Sequence, residues 1–157
     1  MPKVSAGIMM FRGRPEAIEV FLVHPGGPFW QRKDLGAWTM PKGEPLDGEA
    51  LDVAARREFH EETGIEPAGD LHLLGEHRQP GGKLVTAFAL RGEIDPSAVV
   101  SNQFQLEWPP RSGHIRSFPE VDRAAWFSIP QAREKILKGQ LPFLERLEGL
   151  LAAHYRR

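Results

Sequence analysis

Residues 49 to 63 restrict the possible folds of this chain more than any other segment. From Glu49 to Thr63 nearly every residue is a good helix former, Asp47 stands at a plausible N-cap, and Gly64 sits where such a helix should stop. At about 100° per residue, Leu51, Ala54, Ala55 and Phe59 define an apolar side, with Asp52, Arg56, His60 and Thr63 roughly opposite. Glu58, Glu61 and Glu62 follow an i, i+3, i+4 spacing, so all three share a face that overlaps the apolar side. Acids in the last turns of a helix oppose its macrodipole by a few tenths of a kcal/mol each, and like charges at this spacing add a similar penalty. Burying part of such a carboxylate without a partner raises its pKa until it neutralises. Arg57 can offset one charge. A divalent cation would resolve the rest, and a solvated acidic patch is the plainer alternative.

Composition decides which cation. The chain has no Cys, so thiolate ligands are excluded and only carboxylate, carbonyl and imidazole donors remain. His24, His60, His72, His77, His114 and His154 are scattered without ligand spacing and read as surface or packing residues. An oxygen-only set suits Mg²⁺ or Mn²⁺, and Ca²⁺ less well because no looped cage is evident. With 20 Lys plus Arg against 21 Asp plus Glu, the net charge of -1 offers no broad field for a nucleic-acid backbone, so no nucleic-acid partner is expected. The apolar stretch near the N-terminus, Ala6 to Phe11, is too short for a signal peptide or a membrane span. No membrane attachment and a cytoplasmic location are therefore expected. A length of 157 residues predicts one domain over 1–157.

Around the helix, Lys3 to Phe11 and Ile18 to His24 read as strands joined by a turn at Arg12-Gly13-Arg14-Pro15. Residues 25–36 fit no period and form a long loop. Ala37 to Met40 predicts a short strand stopped by Pro41; Leu71 to Gln79 and Leu84 to Gly92 predict a hairpin across Pro80-Gly81-Gly82. Gln103 to Trp108 alternates as a strand, and Val121 to Ser128 is the last one. Pro130 at N1 starts a helix ending at Gly139, and a final helix from Pro142 to His154 puts Phe143, Leu144, Leu147, Leu150 and Leu151 on one side. The expected class is α+β, a mixed sheet with a central helix and C-terminal helices.

The stretch from Gly43 to Ile65 resembles the signature of the Nudix hydrolase family: Gly43, five residues, Glu49, seven residues, Arg57-Glu58-Phe59, His60, then Glu61-Glu62-Thr63-Gly64-Ile65. The resemblance implies an α/β/α sandwich with the box helix on one side of the sheet and the C-terminal helices on the other. It implies that Glu58, Glu61, Glu62 and the Gly43 carbonyl ligate Mg²⁺ or Mn²⁺, with Glu58 or Glu61 accepting a proton from the attacking water. Glu49 and Arg57 match the pair that braces the loop against the helix. Glu120 is the best match for a later acidic ligand, with Glu107 and Asp122 as alternatives.

Trp38-Thr39-Met40-Pro41-Lys42-Gly43 is similar to the diadenosine-polyphosphate and diphosphoinositol branches, which makes Lys42 a phosphate contact and Trp38 a candidate base platform. The family fold would bring Lys3, Ser5, Arg78 and Lys83 near the same cleft. The expected activity is hydrolysis of a pyrophosphate bond in a nucleoside diphosphate linked to another group, a dinucleoside polyphosphate or nucleoside triphosphate first. Diphosphoinositol polyphosphate hydrolysis and a catalytically silent nucleotide sensor are the alternatives. The segments 25–36 and 108–113 lack a counterpart in the simplest family pattern, and monomer and homodimer stay equally open.

Overall fold

A computed structural model describes residues 3–155, so the expected 1–157 span runs past them at both ends, and the His154 side chain lies outside what is described. In chain order come β1 (Val4–Arg12), β2 (Glu19–Pro25), β3 (Lys42–Gly43), α1 (Leu51–Thr63), β4 (His72–Arg78), β5 (Leu84–Arg91), β6 (Gln103–Glu107), β7 (Ile115–Pro119), β8 (Val121–Ser128), α2 (Ile129–Lys135) and α3 (Leu141–Tyr155). The main sheet has the order β4-β5-β1-β2-β8, with β3 paired to β1. Strands β1 and β5 run parallel from Val4 opposite Leu84 to Phe11 opposite Arg91, and the other pairs are antiparallel. Strands β6 and β7 form a separate two-stranded hairpin.

Strand β1 is central and covered on both faces, which is why its residues read as a continuous apolar run rather than an alternation. Ala6, Ile8 and Met10 join Phe21, Val23, Ala54, Ala55 and Phe59 in a core under α1. Met9 and Phe11 join Val20, Leu22, Phe143, Leu144 and Leu147 in a second core under the C-terminal helices. The result is the α/β/α sandwich that the motif implied. Among the described residues no helix is long and apolar enough to cross a membrane.

Several boundaries differ from the sequence reading. Helix α1 starts at Leu51, its N-cap is Ala50, and Asp47 makes no cap. Glu49 is instead held in a turn, its amide donating to the Leu46 carbonyl and its carboxylate accepting from the Leu46 amide. Thr63, expected on the solvent side, is buried and donates to the Phe59 carbonyl at 2.7 Å. Ala37 to Met40 makes only isolated bridges, Thr39 to Val23 and Trp38 to Ile136, because the ladder resumes at Lys42. Pro130 falls one position inside α2, behind a Ser128–Gln131 capping box, and the helix ends before Ile136. Gly139 is there for closeness rather than as a helix stop: a Cβ would lie 2.0 Å from the Gln79 side-chain oxygen.

Candidate metal and phosphate site

Helix α1 delivers its acids to the end of the sheet where β1 meets β3. Gly43 packs against the carboxyl group of Glu58 so tightly that a Cβ would fall 2.0 Å from the Glu58 carboxyl carbon, so only glycine fits. The Lys42 amide donates to Glu62 Oε2 at 2.7 Å. Arg57 is the hub of the cluster. Its Nε and Nη2 form a fork on Glu49 at 2.9 and 3.0 Å, Nη2 also donates to the Glu44 carbonyl, and Nη1 donates to both Glu58 and Glu61 at 3.0 Å. The fork raises the Arg57 pKa and holds the Glu49 carboxyl below its ordinary value. These bonds tie Glu49 and the Glu44 carbonyl of the loop to helix α1.

The acids are held in an uncomfortable state. Burial pushes Glu62 up to about 8, against the attraction of the Lys42 amide and with added repulsion from Glu58 and Glu120. Burial also raises Glu58, opposed by Arg57 and reinforced by Glu61 and Glu120. Glu120 itself is exposed just before β8, its amide donating to Asn102 and its carbonyl accepting from Gly26. Asn102 in turn donates to the carbonyl of Glu61, which roots this segment on the end of α1. Of the three acids considered for the later position, Glu120 repels Glu58 and Glu62, whereas Glu107 accepts from the Arg111 amide and Asp122 is taken by His24.

Among the described residues no three acidic or histidine side chains already surround one ion position. Glu58 and Glu61 are tied to Arg57, and Glu62 to a backbone amide. The donor chemistry nevertheless fits a hard divalent cation: carboxylates raised by burial and mutual repulsion beside a glycine backbone that the Glu58 carboxyl touches.

Burial lowers the Lys42 pKa first, with Lys83 repelling it and Glu62, Glu58 and Glu44 attracting it. Lys83 pairs with Glu44 at 3.7 Å, so these two lysines and the acids share one end of the sheet. Among the described residues, Arg78, Lys3 and Ser5 make no hydrogen bond or ion pair to these acids. Arg78 is exposed and donates to the Gly82 carbonyl within its own turn. Lys3 is exposed at the start of β1, where its carbonyl accepts from Leu84. Ser5 is fully buried on the face opposite Ala6, with its hydroxyl unpaired, and cannot meet a substrate from solvent in this conformation. Trp38 is corrected as a base platform: it is 4% exposed, meets Phe127 edge-on at 5.0 Å, and its indole N–H donates to Asp34 at 2.8 Å. The reason is that Thr39 bridges to Val23 of β2 and Trp38 to Ile136 after α2, which seats the indole in the core under the C-terminal helices. Sequence reasoning missed Gln140, which is fully buried, accepts from the Met40 amide and donates to Thr39, thereby fixing the strand that leads into Lys42. No local pattern marks it; its partners lie about a hundred residues away in sequence.

Sheet, helix and acids together define a sandwich protein with an acidic loop–helix cluster at one end of its sheet. The chain belongs to the NUDIX domain family, whose model matches residues 1–147. It is 31% identical over 137 residues to an octanoyltransferase of Myxococcus xanthus, covering 86% of this chain and 33% of that protein. It is 43% identical over 63 residues to an RNA pyrophosphohydrolase of Caulobacter vibrioides, covering 37% of this chain and 35% of that one. The chain therefore spans only about a third of the length of these relatives. In fold it is similar to a C. elegans Ap4A hydrolase, with a TM-score of 0.65 at 22% identity, covering 95% of this chain and 98% of that one.

Proposed function

We propose that this domain hydrolyses a pyrophosphate linkage in a nucleoside diphosphate joined to another group, with Mg²⁺ or Mn²⁺ as cofactor, in the cytoplasm. Dinucleoside polyphosphates rank first and nucleoside triphosphates second. The observation that carries the reading is the buried Glu62, pushed up to about 8 beside Glu58 and Glu120. An acid withdrawn from water beside two further acids stays protonated near neutral pH, and a bound divalent cation is the partner that would favour its ionised form.

Glu58, Glu61, Glu62, Glu120 and the Gly43 carbonyl would hold the cation. When bound, it supplies screening of the phosphate charges and acidifies a water molecule. The protein's own part is positional. Arg57 sets the Glu58 and Glu61 carboxylates from a guanidinium that Glu49 holds rigid. Glu61, the more open of these two acids, and Glu58 are each suited to accept a proton from an attacking water within hydrogen-bond reach. Lys42 and Lys83 place positive charge at the same end of the sheet, where a terminal phosphate can be met as a point charge.

The test is a panel of dinucleoside polyphosphates, nucleoside triphosphates and sugar-linked diphosphates with Mg²⁺, Mn²⁺ or EDTA, resolving the products. An asymmetric split of diadenosine tetraphosphate into ATP and AMP, abolished by EDTA, is expected. Metal-independent turnover, or none on any member, would overturn the proposal.

A further inference from the structure

Residues 25–36 and the β6–β7 hairpin, whose tip is the 108–113 loop, come together in space. Gly27, at φ 94°, approaches Phe104 so closely that a Cβ would lie 2.8 Å from its ring. Phe29 meets Trp108 edge-on at 5.3 Å. Between the segments opens a cavity of about 420 Å³, whose lining includes Gln31, Trp108, Arg116, Phe118 and Pro119. That is within the size range of small-molecule sites, roughly 300–1,000 Å³.

Three recognition chemistries converge there. Trp108 and Phe118 offer aromatic surface to a planar ring. The Gln31 amide can both donate and accept along the edge of a base. Arg116 sits 5.5 Å from the Phe118 ring, and among the described residues no carboxylate pairs with it. A cation with no anionic partner beside aromatic rings suits a group that is both flat and phosphorylated.

Position ties the cavity to the acids. Pro119 lines it, and the next residue, Glu120, is the one that repels Glu58 and Glu62. Both walls are anchored. His24, fully buried, bridges Asp122 at 2.8 Å and the Lys33 carbonyl at 2.6 Å, pinning the loop to β8. Asn102 donates to Glu61 at 3.2 Å and accepts from Glu120 at 2.9 Å, seating the hairpin on α1.

Resting on the hydrolase reading above, we propose that this cavity binds the nucleoside end of the substrate, so that its phosphates extend past Glu120 onto the acid cluster. Trp108 and Arg116 are then specificity-determining residues.

The test is calorimetric titration in Mg²⁺ with AMP and with ribose 5-phosphate, which lacks the base. Base stacking on an aromatic side chain is strong enough to predict at least tenfold tighter binding of AMP. Trp108→Ala should erase most of that preference and leave ribose 5-phosphate binding within about threefold, whereas Arg116→Gln should weaken both ligands several-fold. Gln31→Leu, an exposed change on the opposite wall, checks the result without touching the hairpin. Equal affinities in the wild type, a base preference that survives both Trp108→Ala and Gln31→Leu, or unchanged binding of both ligands by Arg116→Gln would overturn the proposal. The substrate panel is separate: absent turnover with intact base preference would sink the hydrolase reading alone.

Discussion

Replacing Glu62 with Gln isolates the feature on which the proposed chemistry rests. Burial lifts the Glu62 carboxyl from its ordinary 4.5 to about 8. Between those values the folded chain keeps a proton that the unfolded chain releases, so the ion-free protein should lose stability as pH rises through this window. A two-state titration of that kind changes stability by about 1.4 kcal/mol per pH unit. From about pH 5.5 to 7.5 the fall is roughly 3 kcal/mol, or on the order of 6–12 °C in midpoint for a domain of this size. Glutamine keeps the side chain's shape and can still accept from the Lys42 amide, which lies 2.7 Å from Glu62 Oε2, but it has no proton to lose. Urea denaturation of both proteins in EDTA at the two pH values gives the answer, because titrations outside this cluster cancel in the comparison. The wild type should drop by the stated amount relative to Glu62→Gln. Mg²⁺ at the higher pH should restore more stability to the wild type than to the variant, since a ligand stabilises whichever folded state binds it. Turnover of the variant should fall by at least ~10² with folding intact. Identical pH dependence in the two proteins would refute the claim that Glu62 is a strained buried acid.

Three further outcomes follow from the geometry. Gly43→Ala places a methyl group 2.0 Å from the Glu58 carboxyl carbon, so Mg²⁺-dependent turnover should drop at least tenfold while far-UV circular dichroism is unchanged; unaltered kinetics would contradict the close contact. Glu120→Gln should raise the Mg²⁺ concentration for half-maximal activity several-fold without moving the melting midpoint, because the side chain is exposed; an unchanged metal titration would remove Glu120 from the site. Trp38→Ala empties a packed position and should lose about 3–5 kcal/mol in urea denaturation, whereas a loss below about 1 kcal/mol would return Trp38 to the surface.

The core elements were legible because their signals are local. The continuous apolar character of residues 4–11 reports a strand covered on both sides, and the Pro80-Gly81-Gly82 break reports the β4–β5 hairpin. Strand β7 escaped notice because its residues are mostly exposed and it pairs only with β6, leaving no core-facing alternation to read. The burial of Trp38 is not legible locally, because a tryptophan four residues before a lysine reads the same whether it stacks on a ligand or packs on Phe127. Strand membership likewise does not say that Ser5 is buried, nor that the Arg78 guanidinium is engaged within its own turn.

The sequence by itself determined the acid spacing on α1, and its likeness to the Nudix signature pointed to the Glu49–Arg57 pair and to Gly43, all within one helix–loop unit. Tertiary structure alone decided that Glu120 adds its repulsion to those acids while Glu107 and Asp122 are engaged elsewhere, that Gln140 fixes the approach to Lys42, and that the loop at 25–36 meets the β6–β7 hairpin around a cavity. The physical reason is range. Helical periodicity and turn chemistry act between near neighbours, whereas burial, repulsion between carboxylates and the closing of a cavity depend on which distant segments the sheet order brings side by side.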